Sequence, residues 1–196
     1  MKKFNFIFAI LLIGFSLTAQ TAIGIKGGIQ STKIYEKSGI YDPTLRTNLG
    51  LVCNFSYTSA ASFQMELNYS RKGSNVFNST KATLGYLELP LLLKISGGKE
   101  KFKVFGLAGP YIAAPLRSEL IVGDEKTVTT VSDDSNLIEK MDVGFHIGGG
   151  VTYKMGPGRL LTEIRYCKGY GENFIEDSFN TNAWQLNVGY LFTFGE

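Results

Sequence analysis

Histidine is nearly absent from this 196-residue chain, cysteine occurs twice, and proline five times. One histidine, His146, and two distant cysteines, Cys53 and Cys167, match no metal-ligand spacing, so no metal and no cofactor are expected. Charged residues are also scarce: 19%, against about 25% for an ordinary soluble domain. The formal net charge of +3 gives no basis for nucleic-acid binding. A long apolar run is missing beyond the first residues: Leu87–Leu93 is interrupted by Glu88 and Pro90. A membrane-spanning helix of about 20 apolar residues is therefore not expected there. If the chain crosses a membrane, it does so as a closed β-barrel, the other structure that satisfies every backbone group internally.

Aromatic residues make up 13% of the chain, and glycine contributes 23 residues. Lys2 and Lys3 precede an apolar stretch from Phe4 to Leu17, and Leu17-Thr18-Ala19 offers a cleavage site before Gln20. This is the pattern of a secretory signal, too short for a full membrane anchor. Residues 1–19 are read as signal peptide and 20–196 as one exported domain. Loss of Lys2 and Lys3 lowers the formal charge to +1.

From Gln20 onward, apolar and polar residues alternate with the period of a β-strand. Phe63, Met65, Leu67 and Tyr69 oppose Gln64, Glu66, Asn68 and Ser70; Trp184, Leu186, Val188, Tyr190, Phe192 and Phe194 oppose Gln185, Asn187, Gly189 and Thr193. Similar patterns mark Ala22–Thr32, Thr47–Tyr57, Leu84–Ser96, Met141–Met155 and Gly158–Tyr170. Phe102–Leu116 has two apolar faces and cannot be phased. Eight strands result, joined by segments that alternate strictly between long and short: 33–46, 58–61, 73–83, 97–100, 117–140, 156–157 and 171–181. Outer-membrane barrels sort their connections this way, with short turns in the periplasm and long loops outside. The fold expected is all-β, an eight-stranded antiparallel up-and-down transmembrane barrel in contact with outer-membrane lipid. A soluble lipocalin-like carrier is the other barrel to weigh; charged inward faces and sorted loops argue against it.

Up-and-down tracing sorts the aromatics into two girdles, expected where the barrel meets each interface. Tyr57, Phe63, Tyr153, Phe192 and Phe194 fall near the periplasmic rim; Tyr69, Phe145, Tyr166 and Trp184 fall near the outer rim. The polar face carries Lys26, Glu66, Glu88, Lys94, His146, Glu163 and Arg165, expected inside the lumen. At eight strands the interior is just wide enough for side chains to fill it, so a polar plug is one reading and a narrow path for ions or small solutes the other. Phasing puts Cys53 outward and Cys167 inward, against a disulfide. Bulges are expected at Pro90 and Pro110, because proline cannot donate to a ladder. His146 lacks a serine partner and a Gly-x-Ser-x-Gly elbow, so no catalytic residue is assigned. Gly148-Gly149-Gly150 is not followed by the lysine of a phosphate loop; such glycines relieve crowding in a strand. The acidic loop Arg117–Lys140, with Asp124, Glu125, Asp133, Asp134 and Glu139, is the candidate surface for envelope or secretion-system partners.

The string Tyr86-Leu-Glu-Leu-Pro-Leu-Leu-Leu-Lys94, followed by Phe105-Gly-Leu-Ala-Gly-Pro-Tyr111, resembles the PorT-like outer-membrane β-barrel family of Bacteroidetes-type bacteria. Gly148–Tyr153 and the last strand, Val188–Phe194, are similar to that family too. The resemblance implies a porin-like membrane protein, in some members a part of secretion or gliding machinery. Gly195 and Glu196 follow Phe194, a departure from barrels that end on a terminal Phe.

Overall fold

The computed structural model describes residues 20–36, 39–40, 44–76, 80–122, 125–130, 141–170 and 180–194. The signal-peptide expectation for residues 1–19 lies outside them. Every regular element among the described residues is a strand: β1 (Gln20–Glu36), β2 (Gly39–Ile40), β3 (Thr44–Ser56), β4 (Ala61–Val76), β5 (Thr80–Gly98), β6 (Phe102–Val122), β7 (Glu125–Thr130), β8 (Asp142–Met155), β9 (Gly158–Tyr170) and β10 (Asn180–Phe194). Eight of them form one antiparallel circuit, β1-β3-β4-β5-β6-β8-β9-β10, closed by pairing of β10 with β1. The two-residue β2 pairs only with β1, and β7 pairs only with β6, so neither enters the wall.

Closure requires a stagger, and the register supplies it. Cross-strand partners run Thr21, Phe55, Phe63, Leu93, Ala108, Ile147, Tyr166, Trp184 and then Ser31, ten residues further along β1 than the start. Ten residues at ~3.3 Å, against eight strand spacings of ~4.8 Å, give a strand tilt of about 40° and a backbone radius of about 8 Å. Side chains from opposite walls meet in such a lumen.

Alternation decides which side chains do so. Ile25, Leu49, Leu93 and Ile164 are 60%, 64%, 58% and 54% exposed and point outward, as do most other large apolar residues of the wall. Lys26, Glu66, Glu88 and Arg165 point inward and are buried. A water-soluble carrier would show the opposite arrangement. The strand that could not be phased is now placed: Phe105, Leu107, Tyr111 and Ala113 of β6 face inward, while Val104 and Ile112 face outward. Its inward residues are apolar because Phe105 and Leu107 join Leu92 and Leu161 in a buried cluster at one side of the lumen. Neither cysteine is in a disulfide; Cys53 is half-buried and Cys167 buried.

Two expectations need correction. No register shift occurs at Pro90 or Pro110: the pairing continues in one register past Pro90 between β5 and β6, and past Pro110 between β6 and β8. The missing amide leaves a gap in the ladder, which the flanking bonds bridge without an inserted residue. The one shift lies between Gly85 and Tyr86, opposite Pro115 and Arg117, where β6 carries an extra residue, Leu116. The segment Arg117–Lys140 is not all loop. β6 runs on to Val122, paired with β5 on one side and with β7 on the other, so residues 80–85, 117–122 and 125–130 extend the wall as a paired sheet. Thr127–Thr130 is too polar for alternation to mark it as strand; backbone pairing to β6 holds it. Residues 123–124 and 131–140, with Asp124, Asp133, Asp134 and Glu139, lie outside the described residues.

The short turns cluster at one end, the periplasmic end in outer-membrane barrels. Met155 pairs with Gly158 across Gly156-Pro157, and Gly156 has φ +61°. That left-handed position, followed by a residue whose ring holds φ near −65°, is the requirement of a two-residue hairpin turn with glycine first.

Candidate functional site

Lys26 of β1, Glu66 of β4, and Glu163 and Arg165 of β9 come from opposite sides of the circuit, and the register brings all four to about mid-height. The Lys26 ammonium donates to Glu66 Oε2 at 2.7 Å and to Glu163 Oε1 at 3.0 Å. The Arg165 guanidinium grips Glu66 with both forks, Nη1 to Oε2 at 2.9 Å and Nη2 to Oε1 at 2.6 Å, and Nη2 also donates to Glu163 Oε2 at 2.8 Å. Two cations and two carboxylates balance. Their side chains are at most 2% exposed.

Neutral amides complete the coordination. Gln64 and Asn68 donate to Glu66, and Asn187 donates to Glu163 at 3.1 Å. Glycine gives the cations room. Gly148 stands opposite Arg165, and a Cβ there would lie 2.8 Å from Arg165 Cγ; Gly189 stands opposite Lys26, with the same separation from Lys26 Cβ. Chemically the cluster is a transverse bar of ion pairs, worth retaining only because nearly every charge has several partners.

The other expected lumen residues are also buried, but apart from this bar. On the outer side of it, Ser70 donates to Glu88 at 3.0 Å and Gln185 to Gln30 at 3.0 Å. His146 Nδ1 lies 2.9 Å from Cys167 Sγ, and its ring meets Tyr111 edge-on with centroids 4.7 Å apart. Tyr111 donates to Asp142 at 3.4 Å. On the periplasmic side, Lys94 donates to Gln64 Oε1 at 3.2 Å and sits 4.0 Å from the Phe105 ring centroid. The strand pattern puts Asp142 on the same face as His146, but Tyr111, its bond to Asp142 and the pairing of Cys167 with His146 were not found by reading single residues. The signal was the same inward phase, but β6 could not be phased, and nothing local told which inward residues would meet.

Heights along the axis follow from tilt and stagger. Tyr57, Tyr153, Phe192 and Phe194 fall near one level, with Phe63 somewhat above it; Tyr69, Phe145, Tyr166 and Trp184 fall near a second level, about 20 Å away. Tyr166 and Trp184 are neighbours at the upper level, ring centroids 5.2 Å apart, and Tyr190 and Phe192 at the lower, 4.8 Å apart.

A closed circuit, an apolar exterior and a charged lumen describe a membrane barrel, and the family comparison names it: residues 18–174 match the model for the outer membrane protein beta-barrel domain. The chain belongs to that family. Membership indicates the outer membrane as its location. No curated protein matches the sequence. Among solved structures it is similar to Neisserial surface protein A (TM-score 0.55, 14% identity, 88% of this chain and 99% of that one). It is also similar to Ail, the attachment invasion locus protein of Yersinia pestis (0.51, 12%, 88% and 99%), and to OprG from Pseudomonas aeruginosa (0.50, 15%, 91% and 98%). At these identities the likeness speaks for the fold alone.

Proposed function

We propose that this family member is a plugged, non-conducting barrel with a structural or interaction role in the envelope, a component of a secretion or envelope assembly, and not an enzyme. The observation that carries this reading is the Lys26–Glu66–Arg165–Glu163 bar, which crosses the lumen at mid-height with each cation paired to both carboxylates. A lumen of about 8 Å backbone radius leaves no continuous water path around such a bar. The mature domain is taken as 20–196 after cleavage near Ala19/Gln20. The two aromatic levels act as interfacial girdles in lipid, consistent with an apolar band of about 25 Å. The finer PorT-like assignment rests on the Tyr86–Lys94 string.

The partner surface in this reading is the paired extension of β6 and β7 above the outer aromatic level. Six residues of paired strand add about 20 Å of ribbon. A ribbon anchored in a closed wall meets a partner with little ordering cost on binding.

Two measurements test the proposal. Planar-bilayer recording of the reconstituted protein should show no sustained current; a steady open level would replace the plug with the porin-like channel. A photo-crosslinking residue in place of Lys126 or Val128 should trap a discrete envelope protein in intact cells. Adducts to lipid or to nothing, at every position of β7, would remove the partner surface.

A further inference from the structure

A vestibule of about 180 Å³ opens at the periplasmic end, below the ion-pair bar. Its wall carries four cations, Lys94, Lys103, Lys154 and Arg159, and no carboxylate among the described residues. Hydroxyls and amides of Ser62, Thr152 and Asn54 line it as well. At the rim, Lys154 reaches Glu100 at 2.7 Å. Lys103 donates to the Ser59 carbonyl at 3.3 Å, and Arg159 donates to Thr152 Oγ1 at 3.3 Å and the Glu100 carbonyl at 2.8 Å.

Lys94 is the informative residue. It is 4% exposed, and its ammonium has three donors. It spends one on the Gln64 amide oxygen and rests against the Phe105 ring, with no carboxylate within ion-pair range among the described residues. The carboxylates of the bar are already held by Lys26 and Arg165. A buried ammonium with neutral partners is unfavourable unless an anion completes it. The vestibule has room for several waters or for one compact anion with a partial shell.

We propose that this vestibule binds a phosphate group, as inorganic phosphate or a small soluble phosphate monoester, with Lys94 at its floor and Lys103 and Arg159 around it. A tetrahedral anion offers acceptors in several directions, as donors arriving from β5, β6 and β9 require. A carboxylate has only one plane of acceptors and leaves some of those donors unused. The site stands whether or not the lumen above it conducts.

The test uses the whole refolded barrel in a phosphate-free detergent. Titrating inorganic phosphate should shift the Lys94 ammonium resonance saturably, while acetate at equal concentration moves it little. Lys94→Met should weaken phosphate binding, read by ³¹P line broadening, at least tenfold, and Arg159→Gln several-fold. No saturable response in the wild-type protein up to tens of millimolar overturns the proposal. So does an unchanged affinity in a folded Lys94→Met. Should that variant fail to fold, the wild-type ammonium resonance and Arg159→Gln still decide. Glycerol 3-phosphate and dihexanoyl phosphatidic acid are run in parallel. Binding of the soluble ester supports the proposal; a response confined to the lipid overturns the soluble source.

Discussion

Replacing Arg165 with methionine removes one cation from a balanced set of four charges. Glu66 loses two charge-assisted hydrogen bonds and Glu163 loses one. Lys26 is left to serve both carboxylates, so the site carries one uncompensated negative charge at mid-membrane height, shielded from water by the wall. Breaking a buried ion pair from one side costs about 3–5 kcal/mol, since the partner's desolvation is no longer offset. The expected loss for Arg165→Met is in that range. Adding Glu163→Gln to the same variant leaves Lys26 with Glu66, a neutral pair, and the double variant should recover at least about 1.4 kcal/mol, a tenfold change in the folding constant. The assay is reversible urea unfolding in lipid vesicles. The chain's single tryptophan, Trp184, faces outward and is 57% exposed to its surroundings, so its emission reports insertion directly. A single variant within about 1 kcal/mol of the parent would refute the reasoning, as would a double variant less stable than Arg165→Met, because either result means the charges are hydrated rather than locked.

Other outcomes follow from the same geometry. Ile164→Arg, on the outward side between two inward charges, should destabilise the inserted barrel by about 2–4 kcal/mol, read by the same unfolding curve. Gly148→Ala should cost about 1–3 kcal/mol, because its Cβ meets the Ile164 carbonyl and Arg165 Cγ at 2.4 and 2.8 Å; a neutral result would mean β8 can shift away. A thiol reagent dissolved in the lipid phase should label Cys53 and spare Cys167; equal labelling would contradict the phasing. In the β5–β6 turn, the Lys154 ammonium holds the exposed Glu100 carboxyl below its ordinary range. A lowered folded-state pKa means the stabilising contribution is present above the ordinary carboxylate range and fades as pH falls through the folded value. It should be small and sensitive to salt, and an NMR titration of Glu100 should return to the ordinary midpoint in Lys154→Met.

The amino-acid sequence by itself determined the wall. Strict alternation in β4 and β10 sets which face meets lipid, since a slip of one residue exchanges every inward and outward side chain. Short turns such as Gly156-Pro157 set the up-and-down order. The inward phase of Lys26, Glu66, Glu163 and Arg165 was legible for the same reason. Which of them touch was not, because residues up to 137 positions apart become neighbours only through the ten-residue stagger, a property of the closed sheet and of no single strand. Closure also decided the phase of β6, whose two apolar faces became distinct once Phe105 and Leu107 met Leu92 and Leu161. It left Lys94 below the bar, while the carboxylates of the bar were taken by Lys26 and Arg165 above it. Periodicity is local and survives in a one-dimensional string; the meeting of opposite walls depends on strand number, tilt and shear, and exists only in the folded barrel.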